Sequence, residues 1–137
     1  MVDDDSVSRF VLEQALTEAQ LHAVCVGSAE EAISWLQGHE PQLVLLDLVM
    51  EGADGFTVLA HIRGTPRFRE LPVLVLTGLD SEDDIQRIFS SGADDYVHKP
   101  FRPVELIARI SAQLRIRDYV QRLSWRERNS QTVLELT

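Results

Sequence analysis

Four stretches of this chain share one pattern, an apolar run that stops at a residue able to do chemistry. Val2 leads into Asp3, Asp4 and Asp5; residues 43–46 stop at Asp47; residues 73–76 stop at Thr77; Tyr96-Val97-His98 stops at Lys99. Short aliphatic runs of this kind suit strands buried on both faces, as in a parallel sheet covered by helices. In such a sheet, ligands and reactions gather just beyond the carboxyl ends of the strands. A bare carboxylate there, Asp47 above all, implies a metal, a cation or a reaction. A helix cap or turn residue is the simpler reading of the same position.

If the four ends share one rim, the carboxylates of Asp3, Asp4 and Asp47 meet the Thr77 hydroxyl and the Lys99 ammonium. Two like charges ~4 Å apart repel by roughly 4 kcal/mol at an effective dielectric of 20, so three acids need cations beside them. Lys99 offsets one charge, and a divalent ion would bring the formal sum to zero. Oxygen donors favour Mg²⁺, with waters and substrate phosphate completing its shell. A carboxylate beside Mg²⁺, a hydroxyl and an ammonium is equipped to attack phosphorus and to hold phosphoryl oxygens. Lys99 is also the only lysine among 13 basic residues, the other 12 being arginine. A compact ammonium and a planar guanidinium are not interchangeable in a tight pocket.

The elements that must position these groups follow from hydrophobic period and caps. A first helix opens at Asp5 or Ser6 and carries Val7, Phe10, Val11 and Ala15. Residues 23–26 form a second strand, and the capping box Ser28-Ala29-Glu30-Glu31 opens a helix with Ala32, Ile33 and Leu36 inward. The third strand, residues 43–46, is followed by a loop with Gly52 and Asp54-Gly55, then a helix bearing Phe56, Val58, Leu59 and Ile62. The fourth strand, residues 72–77, leads to a helix capped by Ser81 and ending at Gly92. A short fifth strand at 95–99 precedes a last helix starting at Pro103 and carrying Val104, Leu106, Ile107, Ile110 and Leu114. Five alternations of strand and helix define a doubly wound α/β fold with right-handed crossovers. One expectation is awkward: only Met1 and Val2 precede the acids, where a buried strand normally has 4 to 8 residues. The first strand therefore reads as clipped.

Composition narrows the classes of function. A chain of 137 residues fits one domain with a real core. Its formal charge of -9 argues against a nucleic-acid surface. No apolar run approaches the ~18 residues of a membrane span, and the acidic start does not read as a signal peptide. The single Cys25 can form no internal disulfide and suits a cytoplasmic protein. His22, His39, His61 and His98 fall in separate elements without ligand spacing, and read as structural or surface residues.

Taken together, the chain resembles the receiver domain of two-component response regulators. The residues that carry the resemblance are Val2-Asp3-Asp4-Asp5-Ser6, Asp47-Leu48-Val49-Met50 with Asp54-Gly55, Leu76-Thr77-Gly78, Gly92-Ala93-Asp94-Asp95-Tyr96 and Lys99-Pro100-Phe101. They span roughly residues 2–114. The resemblance implies a flavodoxin-like five-stranded parallel sheet of order 2-1-3-4-5, an order the handful of doubly wound folds is known for. It implies that Asp47 accepts a phosphoryl group from a phosphohistidine of a histidine kinase or phosphotransfer protein. Mg²⁺ would be held by Asp3, Asp4, Asp47 and the backbone carbonyl of Val49. Thr77 and Lys99 would bind the phosphoryl group, Tyr96 would act with Thr77 as a switch, and the Lys99-Pro100 bond is often cis in this family. Where the family usually has Pro, this chain has Glu51. Val49 and Leu79 stand at positions that often carry polar groups near the attacking water.

Other readings fit less well. A receiver that keeps the fold but serves only as a binding or dimerising module would lack some of the five site residues. A flavodoxin-like cofactor binder would need a phosphate cradle after its first strand, where three acids stand. A phosphatase with an aspartyl nucleophile wants a second acid where Val49 is. Residues 1–115 thus read as the receiver. Residues 116–137, free of Gly and Pro, read as a helical extension toward an output domain or a dimerising coiled coil, whose short charged seam names no oligomer.

Overall fold

The aliphatic runs become strands because each can bury both of its faces, and the helices supply the two covers. A computed structural model describes residues 2–26, 28–47, 53–123 and 132–136; side chains are described for 10–24, 26, 28–47, 55–119 and 133–136. In chain order the elements are α1 (Val2–Glu18), β1 (His22–Val26), α2 (Ala29–Gly38), β2 (Leu43–Asp47), α3 (Ala53–Arg63), a 3-10 turn (Pro66–Phe68), β3 (Val73–Thr77), α4 (Glu82–Ser90), β4 (Asp95–His98), α5 (Pro103–Leu123) and β5 (Thr132–Leu136). The five strands form one sheet of order β1-β5-β2-β3-β4, every neighbouring pair parallel. Strand alternation sorts the core into two layers. Val44, Leu46, Val73, Val75, Leu134 and Leu136 face α2, α3 and α4 through Leu36, Leu59, Ile62 and Ile88. Leu43, Leu45, Leu74, Leu76, Val97 and Val133 face α1 and α5 through Leu12, Leu16, Leu106, Ile110 and Leu114.

The doubly wound parallel sheet expected from the sequence is present, but the mid-sheet position has an unexpected occupant. The place expected for a first strand at Met1-Val2 is filled by β5, paired with β1 through His22↔Thr132 to Val26↔Leu136 and with β2 through Leu43↔Val133 to Leu46↔Leu136. Val2 to Asp5 instead begin α1. The expected helical extension over 116–137 is corrected accordingly: α5 runs on to Leu123, and residues 132–136 return as a strand. The physical reason is backbone satisfaction. Without a strand between them, β1 and β2 would each bury a row of unpaired N–H and C=O groups. Val133, Leu134 and Leu136, all buried, give the filling segment apolar faces on both sides.

Local signals behave as the caps require. Ser28 Oγ accepts from Glu31 N at 3.1 Å and Ser81 Oγ from Asp84 N at 3.1 Å, so both predicted helix starts hold. Gly92 ends α4 at a φ of +110, where a Cβ would also meet the Arg63 side chain at 2.7 Å. Two helical stripes differ from expectation. Among the described side chains of α1 the buried ones are Leu12, Ala15 and Leu16, while Phe10 is exposed; in α5 Val104 is exposed and Leu106, Ile110 and Leu114 are buried. Phe10 lies two residues, hence about 200°, from Leu12 on a helix of 3.6 residues per turn. The i, i+4 pair Leu12 and Leu16 sets the inward face.

If β5 is integral to the sheet, truncating one of its core side chains is costly. Leu134→Ala is expected to lower the unfolding free energy by about 2–5 kcal/mol, as for other fully buried leucines. Urea denaturation checks this; an unchanged midpoint would mean that residues 132–136 lie outside the sheet.

Candidate functional site

Three neighbouring strands deliver their last residues to one rim. Asp47 ends β2 and Thr77 ends β3, with Asp47 in register opposite Leu76. Thr77 is in register opposite His98, and Lys99 follows directly, its N–H donating to Thr77 O at 2.7 Å. Parallel pairing thus places the carboxylate, the hydroxyl and the ammonium on successive strand ends.

The central contact is Lys99 Nζ donating to Asp47 Oδ2 at 2.7 Å. Both groups are largely covered, with side-chain exposures of 18% for Lys99 and 10% for Asp47. A charge-assisted bond in such partial cover is stronger than a surface ion pair, because little water competes with it. The Lys99-Pro100 peptide bond is cis. Thr77 is fully buried, and its Oγ1 accepts from Leu79 N at 2.9 Å, so the hydroxyl proton stays available for a further acceptor. Tyr96 lies in β4 and is half-buried; its ring meets Phe89 edge-on, centroids 5.8 Å apart at 80°.

Of the remaining residues expected at the site, Asp3 and Asp4 lie in the first turn of α1, and their side chains fall outside the described set. Helix α1 leads back through a turn into β1, so it runs antiparallel to the strands and its first turn points toward the rim. Val49 lies outside the described residues altogether. Among the described residues, no three His, Cys, Asp or Glu side chains group as a metal site.

A second network, not anticipated from the sequence, fixes the loops that lead into β3 and β4. Arg63 donates from Nε to Gly92 O at 2.8 Å, from Nη1 to Phe68 O at 3.3 Å and Leu71 O at 2.9 Å, and from Nη2 to Asp94 Oδ2 at 2.9 Å. Asp94 Oδ2 also accepts from Val73 N at 2.8 Å, holding the start of β3. Only a five-donor planar fork can serve four acceptors at once. Nearby, Arg109 donates to Asp95 Oδ2 at 2.8 Å; this hydrogen bond and the Asp95 charge raise the pKa of Arg109 further. The signal for the Arg63 network was the Gly92-Ala93-Asp94-Asp95 stretch, but no local period ties it to a residue 29 positions earlier.

These observations meet comparisons with known proteins. The response regulator receiver domain family matches residues 1–111, and the chain belongs to that family. It is 39% identical over 115 residues to the heme response regulator HssR of Staphylococcus haemolyticus, covering 84% of this chain and 50% of that protein. The chain thus spans half the length of this curated relative. It is also similar to a putative response regulator from Chloroflexus aurantiacus, 32% identical with a TM-score of 0.74, covering 81% of this chain and 91% of that one. The receiver domain of a signal transduction histidine kinase from Syntrophus aciditrophicus is 31% identical, with a TM-score of 0.68 over 75% of this chain and 78% of that one. At 23% identity, the receiver domain of the Pseudomonas aeruginosa sensor histidine kinase PA1611, with magnesium in its active-site cleft, shares the fold with a TM-score of 0.71 over 80% of this chain and 89% of that one.

Removing either member of the central pair tests its contribution. Lys99→Met leaves a mostly covered carboxylate without its cation and is expected to destabilise by roughly 1–3 kcal/mol. In a double-mutant cycle with Asp47→Asn, thermal or urea unfolding should show coupling; additive losses would mean the contact contributes nothing. Arg63→Lys is expected to cost about 2 kcal/mol by the same measurement, since an ammonium reaches fewer of the four acceptors.

Proposed function

We propose that this receiver domain is a phosphoacceptor switch in two-component signalling, with Asp47 as the residue that takes the phosphoryl group. The observation that carries the reading is the 2.7 Å contact between Lys99 and a carboxylate standing at the end of a buried strand. A Asp47 oxygen attacks phosphorus of a phosphohistidine from a histidine kinase or phosphotransfer protein. A P–O bond forms, the P–N bond breaks, and the departing imidazole takes up a proton. Lys99 balances the charge that gathers on the phosphoryl oxygens, and Thr77 turns its hydroxyl proton toward one of them.

The donor chemistry fits Mg²⁺: the Asp47 carboxylate is a hard oxygen ligand, and Lys99 offsets only one of the three acidic charges assigned to the rim. We assign Asp3, Asp4 and the Val49 carbonyl as the further ligands. When bound, the cation supplies Lewis-acid charge stabilisation to the transferring group. Beyond this, we assign Thr77 and Tyr96 as the switch: turning the Thr77 hydroxyl toward the phosphoryl group re-aims the oxygen that accepts from Leu79 N, and with it the turn after β3, while Tyr96, packed on Phe89, responds from the neighbouring strand. We assign residues 1–115 together with β5 to this cytoplasmic receiver unit, and the part of α5 beyond residue 115 to communication with an output domain or a partner.

Incubation with acetyl phosphate and Mg²⁺ should add one phosphoryl group, seen by intact mass, and Asp47→Asn should remove it. No label, together with no Mg²⁺-dependent beryllofluoride binding, would leave a phosphate-independent binding module as the function. By the family resemblance, Val49 and Leu79 stand at positions that often carry polar groups near the attacking water, and apolar residues there are expected to slow hydrolysis of the phospho-form, so Val49→Asn with Leu79→Glu should speed its decay severalfold; an unchanged rate refutes that role.

A further inference from the structure

The far end of the sheet, where the strands begin, carries a cleft of about 270 Å³ lined by Pro66, Arg67, Arg69, Glu70, Leu71 and Arg117. It sits at the 3-10 turn that precedes β3, whereas Asp47, Thr77 and Lys99 lie at the opposite strand ends. Its three guanidiniums and one carboxylate give the lining a formal charge of +2, in a chain whose total is -9. Two of the three are pinned. Arg67 donates to Leu36 O and, at 3.3 Å, to Glu40 Oε2, and its guanidinium stacks over the Phe68 ring at 4.2 Å. Arg117 donates to Pro41 O at 2.9 Å, which ties the extended part of α5 to the turn before β2. Arg69 is exposed, and its side chain has no hydrogen bond or ion pair in the described structure, while its backbone N–H donates to Pro66 O.

We propose that this cleft binds a phosphoryl dianion, either free or carried on a nucleotide. Guanidiniums held by backbone carbonyls lose little side-chain freedom when an anion arrives, so the site is preorganised. A planar fork matches phosphate oxygens in a bidentate way, and a dianion cancels the +2 lining where a single carboxylate would not. Glu70 in the lining, and Glu40 through its ion pair with Arg67, set a threshold that admits multiply charged anions over chloride. Because Arg67 belongs to the turn before β3 and Arg117 to α5, a bound anion bridges the domain body to the α5 extension.

Isothermal titration of the full chain with pyrophosphate and with ATP, in EDTA so that divalent ions are absent, tests the site. Saturable binding at millimolar concentrations or below is expected, weakened about tenfold or more by Arg69→Glu and retained in Lys99→Ala. Tighter binding of ATP than pyrophosphate would name a nucleotide as the carrier; the reverse order would name the free anion. Absence of saturable binding overturns the proposal, as does binding that Arg69→Glu leaves unchanged. Loss in Lys99→Ala also overturns it, since the anion would then sit at the Asp47 rim. Arg69 is exposed, so its replacement leaves the fold intact, and circular dichroism of the variant verifies this.

Discussion

The whole arrangement depends on backbone pairing at the middle of the sheet. A parallel sheet covered on both faces gives its central strands no water to fall back on, so each N–H and C=O must find a neighbour. Here β5 supplies both rows at once, to β1 on one side and β2 on the other. Its alternation does the same for the side chains: Val133 joins the α1/α5 layer while Leu134 and Leu136 join the α2/α3 layer. Glu135, buried at 1% exposure, shares the Val133 face. With Thr132 it is one of two polar residues in the strand, and burying its carboxylate carries a cost. β2 is held on one side by β5 from Leu43 to Leu46 and on the other by β3, whose Leu76 sets the register of Asp47.

From this frame the chemistry follows with few further requirements. Parallel registers set Asp47, Thr77 and Lys99 on adjacent strand ends, and helix N-termini and loops come to the same rim. The ion pair there and the Arg63 network at the other end of β3 act in concert. One fixes where β3 and β4 start, the other where β2 and β4 finish, so the strand between them has little freedom to slide. A switch built on Thr77 therefore works by re-aiming side chains and the following turn, not by moving strands.

Much of this was legible in the residues. The aliphatic runs, the Ser28 and Ser81 caps, Gly92, and the acid, hydroxyl and ammonium at strand ends all report local physics, and each stands where its type demands. The inward faces of α1 and α5 were read less well, because Phe10 and Val104 are apolar yet exposed, and composition alone does not say which stripe meets the sheet. The Arg63 network and the mid-sheet strand were not legible. Both join residues far apart in sequence, and Thr-Val-Leu-Glu-Leu at 132–136 reads equally as the end of an amphipathic helix. What decided its conformation was a vacancy elsewhere in the sheet, a nonlocal demand that no window of sequence displays.

The position of β5 has a mechanical corollary. The strand is flanked on both sides by parallel ladders, whose hydrogen bonds are evenly spaced and lie across its axis. Tension applied along its length would load both ladders together in shear, where the same tension on an edge strand such as β4 loads only one. A tether attached after Leu136 would thus pull on a strand held by ladders on both sides. The load path would run beside Asp47, with β2 as the next strand to feel it.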